Sequence, residues 1–281
     1  MTEQETFYNE ILADLENGTL VLPTLPEVAL KVRDVVDDPE ATSAKLADII
    51  ITDPALSTRL LKVANSALYR GRVPVESVQM AVSRLGLKMV RNLVTSLVME
   101  QMFQATSNRL EKRLHDLWEH STEVAAISQV IAAQQVGIKS DEAMLAGLIH
   151  SIGVLPILMK AEDSPAILQD SAQLDILIDS LYPRIGAAIL KSWKFPESLI
   201  AVAAEHTNYD RDTGSDEPDL VDVIQVASIQ SYTNTEKALS EEQLEQVKAF
   251  KKLNIDTSIN VTELEENSAE YAEALALFNA M

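Results

Sequence analysis

Cysteine is absent from the 281 residues, which excludes disulfides, zinc–thiolate sites, iron–sulfur clusters and a cysteine nucleophile. The absence also fits a reducing compartment. Glycine is scarce, with 8 residues, all isolated, so neither a dinucleotide-binding nor a P-loop phosphate cradle is present. Long hydrophobic runs are missing: the strongly apolar stretch Glu142–Met159 is interrupted by His150 and Ser151 and falls short of a membrane span. The first residues carry Glu3 and Glu5 and no base, the reverse of a secretory signal. These features predict a cytoplasmic protein with no membrane partner and no lipid anchor.

Positive charge is the other deficit. The chain holds 23 Lys+Arg against 43 Asp+Glu, a formal charge of −20. The imbalance is uneven: residues 1–110 carry 11 basic and 14 acidic side chains, a balance of −3, and residues 111–281 carry 12 and 29, a balance of −17. Such a chain repels most of a duplex through its C-terminal part, so nucleic acid is not an expected partner. Within residues 55–95, however, Arg59, Lys62, Arg70, Arg72, Arg84, Lys88 and Arg91 face only Glu76. This segment either meets the acidic remainder of its own chain or offers an interface to an acidic partner.

What is present is helical periodicity from end to end, with almost no alternating strand pattern, so the fold class is all-α. Helix starts are legible where Thr42 or Ser43 precedes Leu46, Ile49 and Ile50, and where Asp53 caps a helix with Pro54 in its first turn. Val90, Leu93, Val94, Leu97 and Val98 are too many for one exposed face and predict a buried spine. Asp141 is expected to cap the helix carrying Met144, Leu145, Leu148 and Ile149. Asn208–Asp219 reads as an exposed acidic loop. In the tail, Ser240–Lys252 and Glu263–Phe278 read as helices, the second capped by Thr262 with Glu265 three residues on. Trp118 and Trp193 sit inside apolar patterns and read as core or interdomain anchors.

Four histidines are available for chemistry. His115 and His120 lie about 140° apart around a helix and are poor joint ligands. His150 ends a very apolar helix, and His206 follows Glu205 on another. A metal-dependent hydrolase needs several such ligands converging with acidic groups, which spacing alone does not establish.

The chain resembles the HDOD family, the HD-related output domain of bacterial signalling proteins, itself similar to the HD superfamily of metal-dependent phosphohydrolases. The N-terminal resemblance runs through Leu22-Pro23-Thr24-Leu25-Pro26, Asp53-Pro54-Ala55-Leu56, Leu61-Lys62-Val63-Ala64-Asn65-Ser66-Ala67, the Ser77–Gly86 run and Val90-Arg91-Asn92-Leu93. It continues through Leu117–Ser121, Ala146–Gly153, Ile185–Leu190 and Phe195-Pro196 before Glu205-His206. The resemblance implies an N-terminal helical part, residues 1–106, packed on a degenerate HD-like core, 107–235, with a helical extension at 236–281; the texture change at Ala105-Thr106-Ser107-Asn108 marks the first boundary.

Carried over position by position, the resemblance matches His120 and the histidine of the His-Asp pair, His150, and His206 also survives. The aspartate of the pair is Ser151, the later aspartate falls at Ser228, and a further histidine is replaced near Tyr182. Hydroxyls cannot supply the charge of two carboxylates, so the implied metal pocket of His120, His150 and His206 is vestigial, and no cofactor is expected. Asn65 and Ser66 read as structural caps where a helix leaves for a loop. Arg70 and Arg72 are the expected exposed interface cations; Arg84 and Arg91 are expected in intramolecular contacts. The expected function is a non-catalytic regulatory module acting through a protein partner, with a phosphohydrolase of a nucleotide or cyclic dinucleotide as the alternative. Nothing in the sequence supports a particular oligomeric state.

Overall fold

The computed structural model describes residues 3–17, 27–66, 69–103, 109–162 and 170–279. The Leu22–Pro26 segment, Ala67 and the Ala105–Asn108 boundary lie outside the described residues. Among the described residues every regular element is helical. The N-terminal series is α1 (Glu3–Glu16), α2 (Glu27–Val36), α3 (Ser43–Ile51), α4 (Pro54–Ala64), α5 (Val78–Leu85) and α6 (Leu87–Met99), followed by a 3₁₀ turn at Glu100–Phe103. The second series is α7 (Glu111–Ala133), α8 (Ser140–Ile149), α9 (Val154–Glu162), α10 (Ser171–Ser192), α11 (Glu197–Glu205) and α12 (Leu220–Ser231). The tail holds α13 (Glu241–Gln246), α14 (Lys248–Leu253) and α15 (Glu265–Asn279).

Local chemistry explains several boundaries. Thr42 accepts a hydrogen bond from the Lys45 amide, Asp53 accepts from Leu56 with Pro54 in the first turn, and Ser77 accepts from Met80. Each side chain satisfies an amide that the first turn leaves unpaired. The buried spine is α6, whose residues from Asn92 to Met99 are all buried. It packs on α2 and α4 on one side and on α8 on the other, so it joins the two halves.

Three expectations are corrected. Asp141 does not cap α8, which begins after Lys139. It is buried and accepts a 2.7 Å hydrogen bond from Asn92 Nδ2 on the spine, so a residue of first-turn type serves as a tertiary tie. Thr262 does not cap α15, which starts at Glu265; its hydroxyl bonds the Asn260 carboxamide at 2.9 Å. The expected helix at Ser240–Lys252 is two helices broken at Val247, whose extended backbone ends one and starts the next. The acidic loop Asn208–Asp219 is exposed as expected, fully so from Asp212 to Glu217, and Arg211 ties its ends by bonding Glu205 at 2.6 Å and Asp219 at 2.7 Å.

The apolar stretch Ser140–Glu162 is long enough by composition to cross a bilayer, yet 89% of its window is buried within the fold. It is the central element of the core, bent at 150–153 between α8 and α9. Contacts join the three segments of the chain. Helix α1 docks on α10 of the second series, where Arg184 bonds Glu5 at 3.1 Å, and Lys160 of α9 bonds its Glu10 and Asp14, both at 3.2 Å. Helix α15 packs along α7, and the half-buried Trp118 holds Phe103 at 5.1 Å and Phe278 at 6.1 Å. One indole thereby links all three sequence segments. Trp193 closes α10, where its carbonyl accepts a 2.5 Å bond from Arg33 of α2.

Candidate functional site: a histidine pocket

Two close helix approaches build the site. At Gly147 a Cβ would stand 2.6 Å from the Ala125 Cα, so α8 lies directly against the backbone of α7. That contact brings His150, at the end of α8, over His120 on α7. At Gly153 a Cβ would meet the Tyr182 carbonyl at 2.1 Å and the Gly186 amide at 2.5 Å. The bend after α8 therefore presses on α10 and sets Tyr182 into the same space. His206 arrives from the end of α11, where its own amide bonds the Val202 carbonyl. Gln225 of α12 fixes the following turn by bonding the Asn208 carbonyl at 2.7 Å.

The three imidazoles converge, His120 and His150 with ring centroids 5.2 Å apart and His150 and His206 5.0 Å apart. His115, by contrast, is exposed and pairs with Glu119 at 3.2 Å. The pocket has a volume of about 450 Å³, and Asp116, Asp175, Asp179, Arg113 and Lys237 also line it. Arg113 and Asp175 pair with each other at 2.7 Å.

Hydrogen bonding assigns the tautomers. His150 Nδ1 lies 2.6 Å from the Gly147 carbonyl and His206 Nδ1 2.8 Å from the Val202 carbonyl, so both Nδ1 atoms carry the proton. The Ser231 hydroxyl donates to the Ser228 carbonyl at 2.8 Å and therefore accepts from His120 Nδ1 at 3.3 Å. The metal-facing atoms are then the three Nε2 lone pairs. Two are taken: the Tyr182 hydroxyl lies 2.8 Å from His206 Nε2, and the Tyr232 hydroxyl 3.1 Å from His120 Nε2. Tyr232 also stacks on His120 with centroids 4.6 Å apart.

The electrostatics agree with this assignment. Desolvation lowers His120 and His206 to about 4, and drives His150 well below 6.5 with neighbouring imidazoles adding to the effect. Burial pushes the Tyr182 phenol up and Tyr232 to about 12. At neutral pH the cluster is uncharged imidazoles capped by protonated phenols.

That donor set does not fit the divalent ion that an HD-type hydrolase uses. The position of the paired aspartate, Ser151, is buried and bonded at 3.0 Å to Ser121. Ser228, also buried, offers a second hydroxyl. Among the described residues no group of three His, Cys, Asp or Glu side chains is arranged to hold a metal ion. Of the three histidines, only His150, which lines the pocket, has no phenol on its Nε2, and one neutral imidazole is a weak site for a hard cation.

Residues 22–209 match the HDOD domain family. The chain belongs to the HDOD family. A solved structure from Shewanella amazonensis SB2B, provisionally named a metal-dependent phosphohydrolase, is 30% identical over 99% of this chain and 100% of that one, with a TM-score of 0.82. An HDOD domain protein of unknown function from Geobacter sulfurreducens shares the fold at 21% identity over 97% and 98% of the two chains, TM-score 0.69. A provisionally named signal transduction protein from Marinobacter aquaeolei VT8 does so at 20% identity over 98% of this chain and 65% of that one, TM-score 0.63. An uncharacterized protein of Treponema pallidum (strain Nichols) is 24% identical over 221 residues, 73% of this chain and 41% of its own length. This HDOD chain thus spans less than half of that relative.

The remaining candidate residues separate by location. Asn65 is structural: its side chain donates to the Leu61 and Val75 carbonyls at 3.0 and 2.8 Å and accepts from the Val75 amide at 2.8 Å. Ser66 departs from expectation, since its backbone makes the turn while its buried hydroxyl has no partner. Arg84 bonds the Val73 carbonyl at 2.5 Å, and Arg91 bonds Asn92 and Asp37 at 3.3 and 3.4 Å, so both are tied within the chain. Arg70 and Arg72 are exposed. Sequence reasoning placed Tyr182 only as a replaced histidine and missed Tyr232 and Ser231 as caps on His120. The spacing of Tyr232 from Ser228, one helical turn, was the available signal.

Proposed function

We propose that this HDOD chain is a non-catalytic regulatory module of bacterial signal transduction, working through contacts with a cytoplasmic protein partner. The observation that carries the reading is the pair of tyrosine hydroxyls on His206 and His120: they occupy lone pairs that a catalytic metal would need. With serines at the two acidic positions, the pocket of His120, His150 and His206 keeps at most weak affinity for an ion. The exposed pair Arg70 and Arg72 is the proposed contact surface, because a −20 chain meets an acidic partner most readily where its own acids are sparse. The charge also argues against a nucleic-acid partner. The provisional name of the Shewanella protein favours a second reading, hydrolysis of a nucleotide or cyclic dinucleotide.

Metal analysis of the purified protein and turnover assays with added Mn²⁺ or Mg²⁺ separate the two. The expected result is sub-stoichiometric metal and no phosphodiesterase activity above background. Stoichiometric metal with turnover that disappears in a His120→Ala/His150→Ala variant overturns it. In a parallel pull-down from the native host, the folded Arg70→Glu/Arg72→Glu variant is expected to lose a partner that the histidine variant retains. Loss in the histidine variant alone would move function to the pocket.

A further inference from the structure

We infer that a second cleft, between the N-terminal helices and the histidine-bearing core, binds a small organic anion with an apolar body, a carboxylate or a phosphate monoester. The cleft has a volume of about 180 Å³, and α2, α6, α8 and the α10–α11 junction line it. It shares no lining residue with the histidine pocket, so this inference stands apart from the function proposed above.

Charge is the first argument. In a chain with nearly twice as many acids as bases, three cations, Arg33, Arg91 and Lys194, line a single cleft whose lining holds one carboxylate, Asp37, with Asp34 outside the lining but paired to Arg33. The two guanidinium groups are held in place, their side chains only 22% and 24% exposed. Arg33 is anchored to the Trp193 carbonyl across the cleft and Arg91 to the Asn92 carboxamide at 3.3 Å. Asn92 is in turn fixed by buried Asp141. The carboxylates that accompany them are weak competitors: Asp34 and Asp37 are 69% and 61% exposed, at 3.1 and 3.4 Å, and such solvated pairs contribute little. Positioned guanidinium groups offer the planar donor geometry that carboxylates and phosphates accept.

The second argument is the shape and lining of the cleft. Leu145 and Leu199 are buried beneath it, and Ala29, Phe195 and Pro196 complete an apolar wall. A charged rim over an apolar floor selects a ligand with one anionic end and one hydrocarbon or aromatic body. The backbone supplies a third. Lys194 follows the last turn of α10 with φ of 57°, while the Phe195 amide bonds the Leu190 carbonyl at 2.9 Å. This is the helix-ending position that glycine or asparagine fills at least strain. A lysine there places a cationic side chain at the cleft in a conformation its Cβ disfavours.

The location gives such a ligand a consequence. It would touch α8 and α11, whose far ends carry His150 and His206, and the spine α6 that joins the two halves.

Isothermal titration of the full chain with phenyl phosphate and with benzoate tests this, against inorganic phosphate and benzyl alcohol as the anionic and apolar parts alone. Saturable one-to-one binding of at least one of the first two is expected, with neither control reaching its affinity. Arg91→Gln and Lys194→Gln should each weaken it, the arginine variant by about tenfold or more, while His120→Ala leaves it unchanged. In the wild-type protein the arginine Nε–H resonances of Arg33 and Arg91 should shift on titration, a readout that needs no variant. No saturable binding by either compound overturns the inference, as does undiminished binding in both variants. Inorganic phosphate binding as tightly as phenyl phosphate overturns the apolar part of it.

Discussion

Three neutral imidazoles packed within ring contact make stability depend on pH in a definite direction. In the unfolded chain each histidine titrates near 6.5, whereas burial holds His120 and His206 at about 4 in the folded state. The unfolded state therefore takes up protons first as pH falls. Stability is complete above about pH 6.5 and declines between 6.5 and about 4, by up to roughly 1.4 kcal/mol per pH unit for each such histidine. Urea midpoints at about pH 7.5 and pH 5 check this. A His206→Gln variant is expected to show a shallower pH slope whatever its stability at the higher pH, and parallel slopes would reject the assignment. A second buried polar contact makes its own prediction. Removing the Asn92 carboxamide in Asn92→Leu leaves Asp141 buried without its 2.7 Å partner, at a cost of about 2–3 kcal/mol in equilibrium unfolding. Neither site was legible in full. His120, His150 and His206 could be named because a resemblance aligned them, but the phenols that cap them come from α10 and α12, and no local rule joins those positions. Asp141 reads as a cap because a carboxylate in a first helical turn has a local use, and only packing against Asn92 shows that it serves a distant one.

Helix α8 is where packing is tightest, and two glycines permit it. Replacing Gly153 with alanine sets a methyl 2.1 Å from the Tyr182 carbonyl, so α10 must shift away from the bend after α8. The expected loss is about 1–3 kcal/mol or more. Gly71→Ala is the control, since its nearest neighbour is the Arg84 side chain at 3.4 Å and its expected effect is within about 0.5 kcal/mol. Equal effects of the two would contradict the close approach. The buried spine α6 and its neighbour α8 give a parallel test. Leu97 and Leu148 are 3% and 0% exposed, and truncation of either to alanine should cost about 2–5 kcal/mol, with less than about 0.5 kcal/mol refuting the assigned faces. These burials were readable from periodicity, as were the starts of α3 and α4 from Thr42 and Asp53-Pro54. Caps were less secure where two polar residues competed, as at Thr262, because a threonine hydroxyl bonds a nearby carboxamide as readily as an amide of the next turn.

Across the whole molecule, the tail is part of the core rather than an appendage. Val247, Phe250, Leu253 and Phe278 are buried, and Gln230 of α12 bonds the Ile259 carbonyl at 2.9 Å and the Val261 amide at 3.1 Å. A chain ending before residue 236 would expose this surface together with Trp118. It is expected to unfold at a clearly lower urea concentration than the full chain or to aggregate; an unchanged midpoint would show the tail to be dispensable. The all-helical class, the buried spine, the family and the absence of cysteine and phosphate-loop chemistry all follow from the amino-acid order, because they depend on periodicity, composition and short motifs that span a few residues. The docking of α1 onto α10, the Asn92–Asp141 tie, the phenol caps on the imidazoles and the cationic cleft at Lys194 do not. Each joins residues tens of positions apart that only helix packing brings together, as the close approaches at Gly147 and Gly153 do for the phenol-capped imidazoles, and no local pattern encodes such distances.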